Sequence, residues 1–141
     1  MTDSSTTTRG KILVIDDSEI VIAAVRMILE DAGYTVVTLN SPFGTSPRIL
    51  RERPDLVLLD LMMPGLTGDK IVEVVRRTPA LVNTLIVLHS DRSAEELAAA
   101  AQRCGADGFI LKTCEEQELV TQVQQWLAKR PAPGAREASV H

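Results

Sequence analysis

The chain has 141 residues, of which 45% are hydrophobic and 24% are charged, a balance typical of a single soluble domain with a buried core. A net charge of −4 and an aromatic content of 3% argue against nucleic-acid binding. Since no apolar run approaches the roughly 18 residues of a membrane span, and since Met1 to Thr8 carry no signal peptide, we expect no membrane insertion and a cytoplasmic location.

Neither end of the chain has the regular spacing of hydrophobic residues that predicts a helix or a strand. Residues 1–10 are rich in Ser and Thr, and residues 130–141 combine Pro, Gly and Ala without any apolar repeat. Such segments cannot bury enough apolar surface to order themselves. The sequence therefore predicts a disordered tail at each end and one domain over residues 11–129.

Five short apolar runs predict the strands of this domain. Each run is too short for a helix, and nearly continuous Val, Ile and Leu are typical of strands buried on both faces of a parallel sheet. The predicted strands are Lys11–Ile15, Thr35–Leu39, Leu56–Leu59, Leu85–Leu88 and Gly108–Leu111.

Helical patterns alternate with these runs. The first helix is predicted after Ser18 and the helix before the third strand is predicted to be short, because Pro47 must lie in its first turn and Pro54 stops it. Ser93 and Glu96 form a capping box at the start of a later helix, and the last helix is predicted from about Glu115. The apolar faces predicted to point inward are Ile20, Val21, Ala24, Val25, Ile28 and Leu29; Leu97, Ala98 and Ala101; and Leu119, Val120, Val123, Trp126 and Leu127.

Five strands alternating with helices predict an α/β fold, with a doubly wound parallel sheet in the order 2-1-3-4-5 and helices on both faces. In such folds ligands bind at the carboxyl ends of the strands. Polar residues occur at four of these ends: Asp16 and Asp17, Asp60, Ser90, and Lys112. Because neighbouring strands lie about 4.8 Å apart, Lys112 is two strands from Asp60 and can reach it only through its long side chain.

Three carboxylates in one place repel one another by about 4 kcal/mol per pair at about 4 Å. Lys112 offsets one charge, and a hard divalent cation such as Mg²⁺ would offset two more. A cation shared between Asp60 and an incoming phosphoryl group would let this carboxylate act as a nucleophile and form an acyl phosphate. Ser90 and Lys112 would then bind the phosphoryl oxygens.

Four motifs in order along the chain resemble the receiver domain of two-component response regulators, over about residues 11 to 129. The motifs are Asp16-Asp17-Ser18, the run Asp60-Leu61-Met62-Met63-Pro64-Gly65 with Gly68, Ser90, and the run from Gly105 to Lys112. Each motif alone is weak evidence for the family, but all four in this order and at these spacings are specific to it. The resemblance implies the flavodoxin-like, CheY-like arrangement of the predicted sheet.

The resemblance also implies a role for each site residue. Asp60 would be the phosphoacceptor, receiving the phosphoryl group from a phosphohistidine on a sensor histidine kinase or histidine phosphotransfer protein. Mg²⁺ would be held by Asp17, Asp60 and the backbone carbonyl of Met62, with Asp16 helping directly or through water. The molecule would promote its own phosphorylation and dephosphorylation without being a dedicated enzyme.

Three further residues would transmit the signal in a receiver. Lys112 would pair with the phosphoryl group, Ser90 would donate its hydroxyl to it, and Phe109 would turn inward as the switch aromatic. A downstream target would then read the face formed by the fourth helix, fifth strand and fifth helix. As no output domain follows Lys129, we expect a stand-alone receiver.

The chain departs from the family pattern in three places. Thr113 stands where the family has a proline in a cis bond, so the sequence predicts a trans Lys112–Thr113 bond or a strained cis one. Thr113 with Glu116 also matches a capping box, which predicts an early start of the last helix. Asp91 adds a carboxylate after Ser90, and Phe109 lacks the phenolic oxygen of many receivers.

Other functions fit the residues less well. The same fold could serve as a pseudo-receiver, an adaptor that is never phosphorylated, for which Thr113 and Asp91 are the main arguments. A phosphohydrolase with an aspartyl-phosphate intermediate would need an acid at Met62, and a flavin carrier would need hydroxyls and free amides in place of Asp16-Asp17. Taken alone, Asp16 and Asp17 could also be a solvated turn before a helix.

Overall fold

The sheet has five parallel strands in the computed structural model, which describes residues 9–129. The strands are β1 (Lys11–Ile15), β2 (Thr35–Leu39), β3 (Leu56–Asp60), β4 (Ile86–Ser90) and β5 (Gly108–Leu111). They lie in the order β2-β1-β3-β4-β5, so the predicted doubly wound α/β fold is confirmed.

Helices connect the strands and cover both faces of the sheet. They are α1 (Glu19–Asp31), α2 (Thr45–Glu52), α3 (Gly68–Arg76), α4 (Ala94–Cys104) and α5 (Glu116–Lys129), with a 3₁₀ turn at Pro79–Leu81. None of the helices between residues 9 and 129 is long and apolar enough to cross a membrane.

The core consists of two apolar layers separated by the sheet. Because strand side chains alternate, Leu13 and Ile15 pack with α2, α3 and α4, whereas Ile12 and Val14 pack with α1 and α5. All five residues of β3 are buried, as expected for a central strand covered on both sides. This packing fixes where the strand ends lie, and hence where the polar residues after them meet.

The start of the domain lies earlier than predicted. The predicted tails at 1–10 and 130–141 fall outside the described residues, apart from Arg9 and Gly10. The backbone N–H of Arg9 donates to the carbonyl of Gly33 (3.0 Å), and the carbonyl of Gly10 accepts from Thr35 (2.8 Å). The prediction that Arg9 and Gly10 belong to a loose tail is therefore wrong, because backbone bonds tie them to the chain leading into β2.

The inward face of α1 also differs from the prediction. Ile22, Val25 and Leu29 are buried, at the i, i+3 and i+7 spacing of one helix face. Ile20 is 83% exposed. The helix is apolar on more than one side, so its composition could not show which side meets the sheet. Part of the predicted stripe instead borders an open groove between α1 and α5.

Two of the predicted helix starts are confirmed. The helix α2 has eight residues, holds Pro47 in its first turn, and ends before Arg53, whose left-handed backbone (φ 49°) stops it. The Ser93 hydroxyl accepts from the N–H of Glu96 (3.1 Å), and the Glu96 carboxylate accepts from the N–H of Ser93 (3.2 Å). The predicted capping box at α4 is therefore present.

Other predicted details of α4, α5 and β4 are wrong. Ala98 is exposed on α4, where Ala100 and Cys104 are buried instead. The helix α5 begins at Glu116, within one residue of the predicted start at about Glu115, and only the earlier start suggested by Thr113 does not occur. The strand β4 runs two residues further than its apolar run, through buried polar residues that contribute nothing to an apolar sequence pattern.

Candidate functional site

Three carboxylates meet at the carboxyl edge of the sheet. Asp16 follows β1 and Asp60 ends β3, and because these strands are neighbours their side chains emerge side by side. Asp16 is 1% exposed and Asp60 is 4% exposed, whereas Asp17 is exposed to solvent. One oxygen from each of the three carboxylates lies within 4.8 Å of the others. The structure thus brings together the acidic residues that the sequence placed at this edge.

Lys112 reaches this cluster from β5, two strands away from Asp60. Its Nζ lies 2.8 Å from Oδ2 of Asp16 and 3.5 Å from Oδ1 of Asp60. One ammonium group therefore bridges the two buried carboxylates and offsets part of their repulsion.

Backbone groups hold both buried carboxylates in place. The N–H of Ser18 donates to Oδ1 of Asp16 (2.9 Å), while the Ser18 hydroxyl accepts from the N–H of Val21 (3.3 Å) and caps α1. The N–H of Met62 donates to Oδ1 of Asp60 (3.2 Å). Each carboxylate is therefore oriented by the loop that follows it in sequence.

Gly68 fixes the loop after β3. Its N–H donates to the carbonyl of Leu61 (2.8 Å), and a Cβ added at this position would lie 2.4 Å from the carbonyl oxygen of Asp60. Only a glycine allows α3 to approach the end of β3 so closely. The sequence motif that contains Gly68 does not by itself show this role.

The electrostatics of the site follow from burial and from an excess of negative charge, because three carboxylates face one ammonium group. Burial raises the pKa of Asp60 to about 6, and the charge of the neighbouring Asp16 raises it more than the charge of Lys112 lowers it. Burial alone would lower the pKa of Lys112, but Asp16 and Asp60 outweigh it, so this pKa lies above its ordinary value. The site therefore stabilises added positive charge.

The oxygens available here fit a hard divalent cation. Oδ2 of Asp16 is buried, and its only close polar contact among residues 9–129 is Nζ of Lys112. A cation placed among the three carboxylates would satisfy this oxygen, and oxygen ligands are those that Mg²⁺ prefers. The donor set is thus chemically suited to Mg²⁺.

Comparison with known proteins agrees with this geometry. Residues 12–124 match the family model of the response regulator receiver domain. The chain belongs to this family. The acidic cluster therefore lies within a receiver domain.

The relatives of this receiver are response regulators. It is 30% identical over 129 residues to the phosphate regulon transcriptional regulatory protein PhoB of Pseudomonas aeruginosa, covering 92% of this chain and 56% of PhoB. It is 28% identical over 134 residues to the DNA-binding response regulator MtrA of Mycobacterium tuberculosis, covering 95% of this chain and 58% of MtrA. The chain thus spans just over half the length of these relatives.

Solved structures show the same fold. The chemotaxis response regulator CheY4 of Vibrio cholerae is 28% identical with a TM-score of 0.77, over 84% of this chain and 99% of CheY4. A signal receiver domain of a histidine kinase from Syntrophus aciditrophicus is 28% identical with a TM-score of 0.75, over 88% of this chain and 96% of that one.

The remaining predicted residues of the receiver lie at different distances from the cluster. Ser90 is buried at the end of β4, next to β3, and its hydroxyl accepts from the N–H of Arg92 (3.3 Å). Phe109 pairs with Leu88 in the sheet register, two residues before Ser90, and lies in a groove beside Trp126. Phe109 is thus partly exposed on the α4–β5–α5 side and is not part of the acidic cluster.

The bond that departs from the family pattern has one of the two forms that the sequence left open. No cis peptide bond occurs within the described range 9–129, so Lys112–Thr113 is trans, the form that costs a non-proline residue less. The trans bond is compatible with the reach of Lys112, whose Nζ contacts both buried carboxylates.

Proposed function

We propose that residues 11–129 form a receiver that accepts a phosphoryl group on Asp60 from a histidine kinase or histidine phosphotransfer protein. The observation that supports this most directly is the buried Asp60 carboxylate with an ammonium group 3.5 Å away. Such a pair places a nucleophile beside a group that can neutralise an incoming phosphoryl oxygen. The role is that of a signalling phosphoacceptor and not of an enzyme with a separate substrate.

The two oxygens of Asp60 have different surroundings. Oδ1 accepts from Met62 and contacts Lys112, whereas no hydrogen bond or ion pair reaches Oδ2 from elsewhere in residues 9–129. We assign Oδ2 as the attacking atom. The new bond joins this oxygen to phosphorus as the P–N bond of phosphohistidine breaks, and the donor imidazole leaves with the bonding electron pair.

Lys112 and Ser90 then bind the product. The Lys112 ammonium already lies between the two carboxylates, so a small movement of its long side chain brings it to a phosphoryl oxygen. Ser90 is the last residue of the neighbouring strand β4. Its hydroxyl donates to a second phosphoryl oxygen. Lys112 and Ser90 together would draw the end of β4 toward the phosphoryl group, and Phe109 would follow as the switch aromatic.

The proposed Mg²⁺ ligands are Asp16, Asp17, Asp60 and the backbone carbonyl of Met62. Mg²⁺ would supply positive charge that lowers repulsion between the carboxylates and the phosphoryl oxygens. Asp17 is exposed and the other two carboxylates are buried, so the cluster is accessible from one side.

Apolar side chains near the acidic cluster support a protein donor. Ile20 is 83% exposed in the first turn of α1, and Met62 is 45% exposed two residues after Asp60. Contiguous apolar surface rimmed by polar residues is typical of interaction sites. They would let a donor protein dock while its phosphohistidine enters between them.

We propose that the α4–β5–α5 face transmits the signal by binding a protein target. Phe109 and Trp126 line a groove there with Ala98 and Gln102 of α4. Phosphorylation would bias an existing equilibrium between two states of this face, and the target would bind one of them. The net charge of −4 supports a protein target and not a nucleic acid. A cytoplasmic location stays part of the proposal.

The experiment is incubation with phosphoramidate, a small donor with a P–N bond, followed by intact-mass measurement. We expect an added mass of one phosphoryl group, about 80 Da, in Mg²⁺ and its loss in chelator. Asp60→Asn is expected to abolish the adduct, whereas Asp91→Asn, which removes an exposed carboxylate outside the cluster, is expected to retain it. An adduct on Asp60→Asn would overturn the assignment, and no adduct on the native protein would favour the unphosphorylated adaptor.

A further inference from the structure

The loop between β3 and α3 carries the proposed metal ligand Met62, but few hydrogen bonds hold this loop. The N–H of Met62 donates to Asp60 (3.2 Å), and the N–H of Gly68 donates to the carbonyl of Leu61 (2.8 Å). Between these two points, no hydrogen bond within the described part of the chain involves residues 63–66. The conformation of this stretch must therefore come from packing.

Packing supports this loop from two sides. Met63 is 4% exposed and belongs to the core layer that packs with α2, α3 and α4. On the outer side, the ring of Phe43 lies over Gly65, because its Cε2 and Cζ atoms are each 3.2 Å from the position that a Cβ on Gly65 would occupy. Gly65 also has a φ of +89°, which other residues rarely adopt. A glycine is thus required at position 65 both by the backbone and by the close approach of the ring.

Hydrogen bonds hold the loop from which Phe43 extends. This loop joins β2 to α2, and within it the N–H of Phe43 donates to the hydroxyl of Ser41 (3.1 Å). The hydroxyl of Thr45, which is 4% exposed, donates to the carbonyl of Pro42 (2.8 Å). These bonds fix the backbone on both sides of Phe43. The loop between β2 and α2 therefore provides a defined support for the ring that covers Gly65.

Most of the Phe43 side chain is in contact with solvent. Phe43 is 62% exposed, so its ring contributes little to the core. With Leu66, Ile71 and Val74 it lines a groove of about 180 Å³ next to the first turn of α2. An exposed ring placed over a loop glycine is suited to hold that loop without determining the stability of the whole domain.

We propose that Phe43 is a positioning residue for the metal site. Its ring, resting on Gly65, limits the conformations of the loop that follows Asp60 and so keeps the carbonyl of Met62 available to a cation bound by the carboxylates. This inference rests on the proposed function, in which that carbonyl is a Mg²⁺ ligand. Phe43 acts through the loop and not as a ligand, since its ring has no metal-binding atom.

The test is titration of the full chain with Mg²⁺ alone, followed by amide NMR shifts without a phosphodonor. Phe43→Ala is expected to weaken Mg²⁺ affinity about tenfold, the lower end of the effect of removing groups that orient metal ligands. Phe43→Tyr keeps the ring and is expected to retain the native affinity, because its hydroxyl can extend into solvent. Leu50→Ala removes an exposed apolar side chain of α2 that does not line the groove, and it is expected to bind Mg²⁺ as the native protein does.

A purely structural role of Phe43 would give a different result. Phe43→Ala would then lower the urea concentration at the midpoint of unfolding but leave the Mg²⁺ affinity of the folded protein unchanged. That outcome, or equal Mg²⁺ affinities of Phe43→Ala and Leu50→Ala, would overturn the inference alone. A native protein that does not bind Mg²⁺ would overturn the proposed metal site and the inference together.

Discussion

Replacing Asp60 by Asn is expected to stabilise the metal-free protein. The Asp60 carboxyl is 4% exposed, and burial together with Asp16 raises its pKa from an ordinary value of 3.8 to about 6. Each tenfold change in proton affinity is worth about 1.4 kcal/mol, so ionised Asp60 costs the folded state about 3 kcal/mol at neutral pH. An asparagine side chain has a similar shape and no charge, so Asp60→Asn is expected to raise the free energy of unfolding by about that amount.

The pH dependence of this effect has a definite sign. Because the folded-state pKa is raised, the folded protein binds a proton more tightly than the unfolded chain. Both proteins are expected to be similarly stable below about pH 4, where Asp60 is protonated in either state. The advantage of Asp60→Asn is then expected to grow between about pH 4 and pH 6 and to stay constant above this range.

The assay is urea unfolding in chelator across this pH range, repeated in about 10 mM Mg²⁺. A site with a dissociation constant of about 1 mM would gain about 1.4 kcal/mol from tenfold excess Mg²⁺. Mg²⁺ is therefore expected to reduce the difference in the free energy of unfolding between the two proteins, because it stabilises the native protein more than Asp60→Asn. Equal stability of the two proteins in chelator at neutral pH, or a gap that is independent of pH, would refute the reasoning.

Three further substitutions, two at the site and one distant from it, test the packing of the domain by urea unfolding. Lys112→Met leaves two buried carboxylates without their ammonium and is expected to cost about 3 kcal/mol in chelator, part of which Mg²⁺ restores; no loss would mean that the ion pairs are unimportant. Gly68→Ala forces a Cβ to within 2.4 Å of the carbonyl that ends β3 and is expected to cost about 1 to 3 kcal/mol, against a small effect of Thr67→Ala. Arg76→Ala removes bonds to three backbone carbonyls and one carboxylate at the opposite edge of the sheet, and is expected to cost about 3 kcal/mol without changing Mg²⁺ affinity. Arg77→Ala, at an exposed neighbouring position, is expected to change stability by less than about 0.5 kcal/mol.

The fold and the membership of the acidic cluster were predictable from sequence because both depend on strand ends. The apolar run before Asp16 and the run before Asp60 are short and continuous, which indicates buried parallel strands. In a parallel sheet all carboxyl ends lie at one edge, so residues distant in sequence are brought together. The reach of Lys112 followed from side-chain length and strand spacing alone.

Three features of the fold were not predictable from the sequence. Helix α1 is apolar around much of its circumference, so the sequence did not show that Ile22 packs inward while Ile20 stays exposed. The sequence also ended β4 too early, because His89 and Ser90 are polar but buried. Arg9 is held against the chain after α1 by a backbone hydrogen bond to Gly33. Backbone hydrogen bonds of this kind produce no pattern of apolar residues in the sequence.

The central claim is that one particular carboxylate becomes an acyl phosphate. Borohydride reduces an aspartyl phosphate to homoserine, so peptide sequencing by mass spectrometry after treatment with a phosphodonor locates the modified residue. We expect homoserine at position 60, in amounts that require Mg²⁺. Homoserine at position 16 or 17, or at position 60 to the same extent in chelator, would contradict the account.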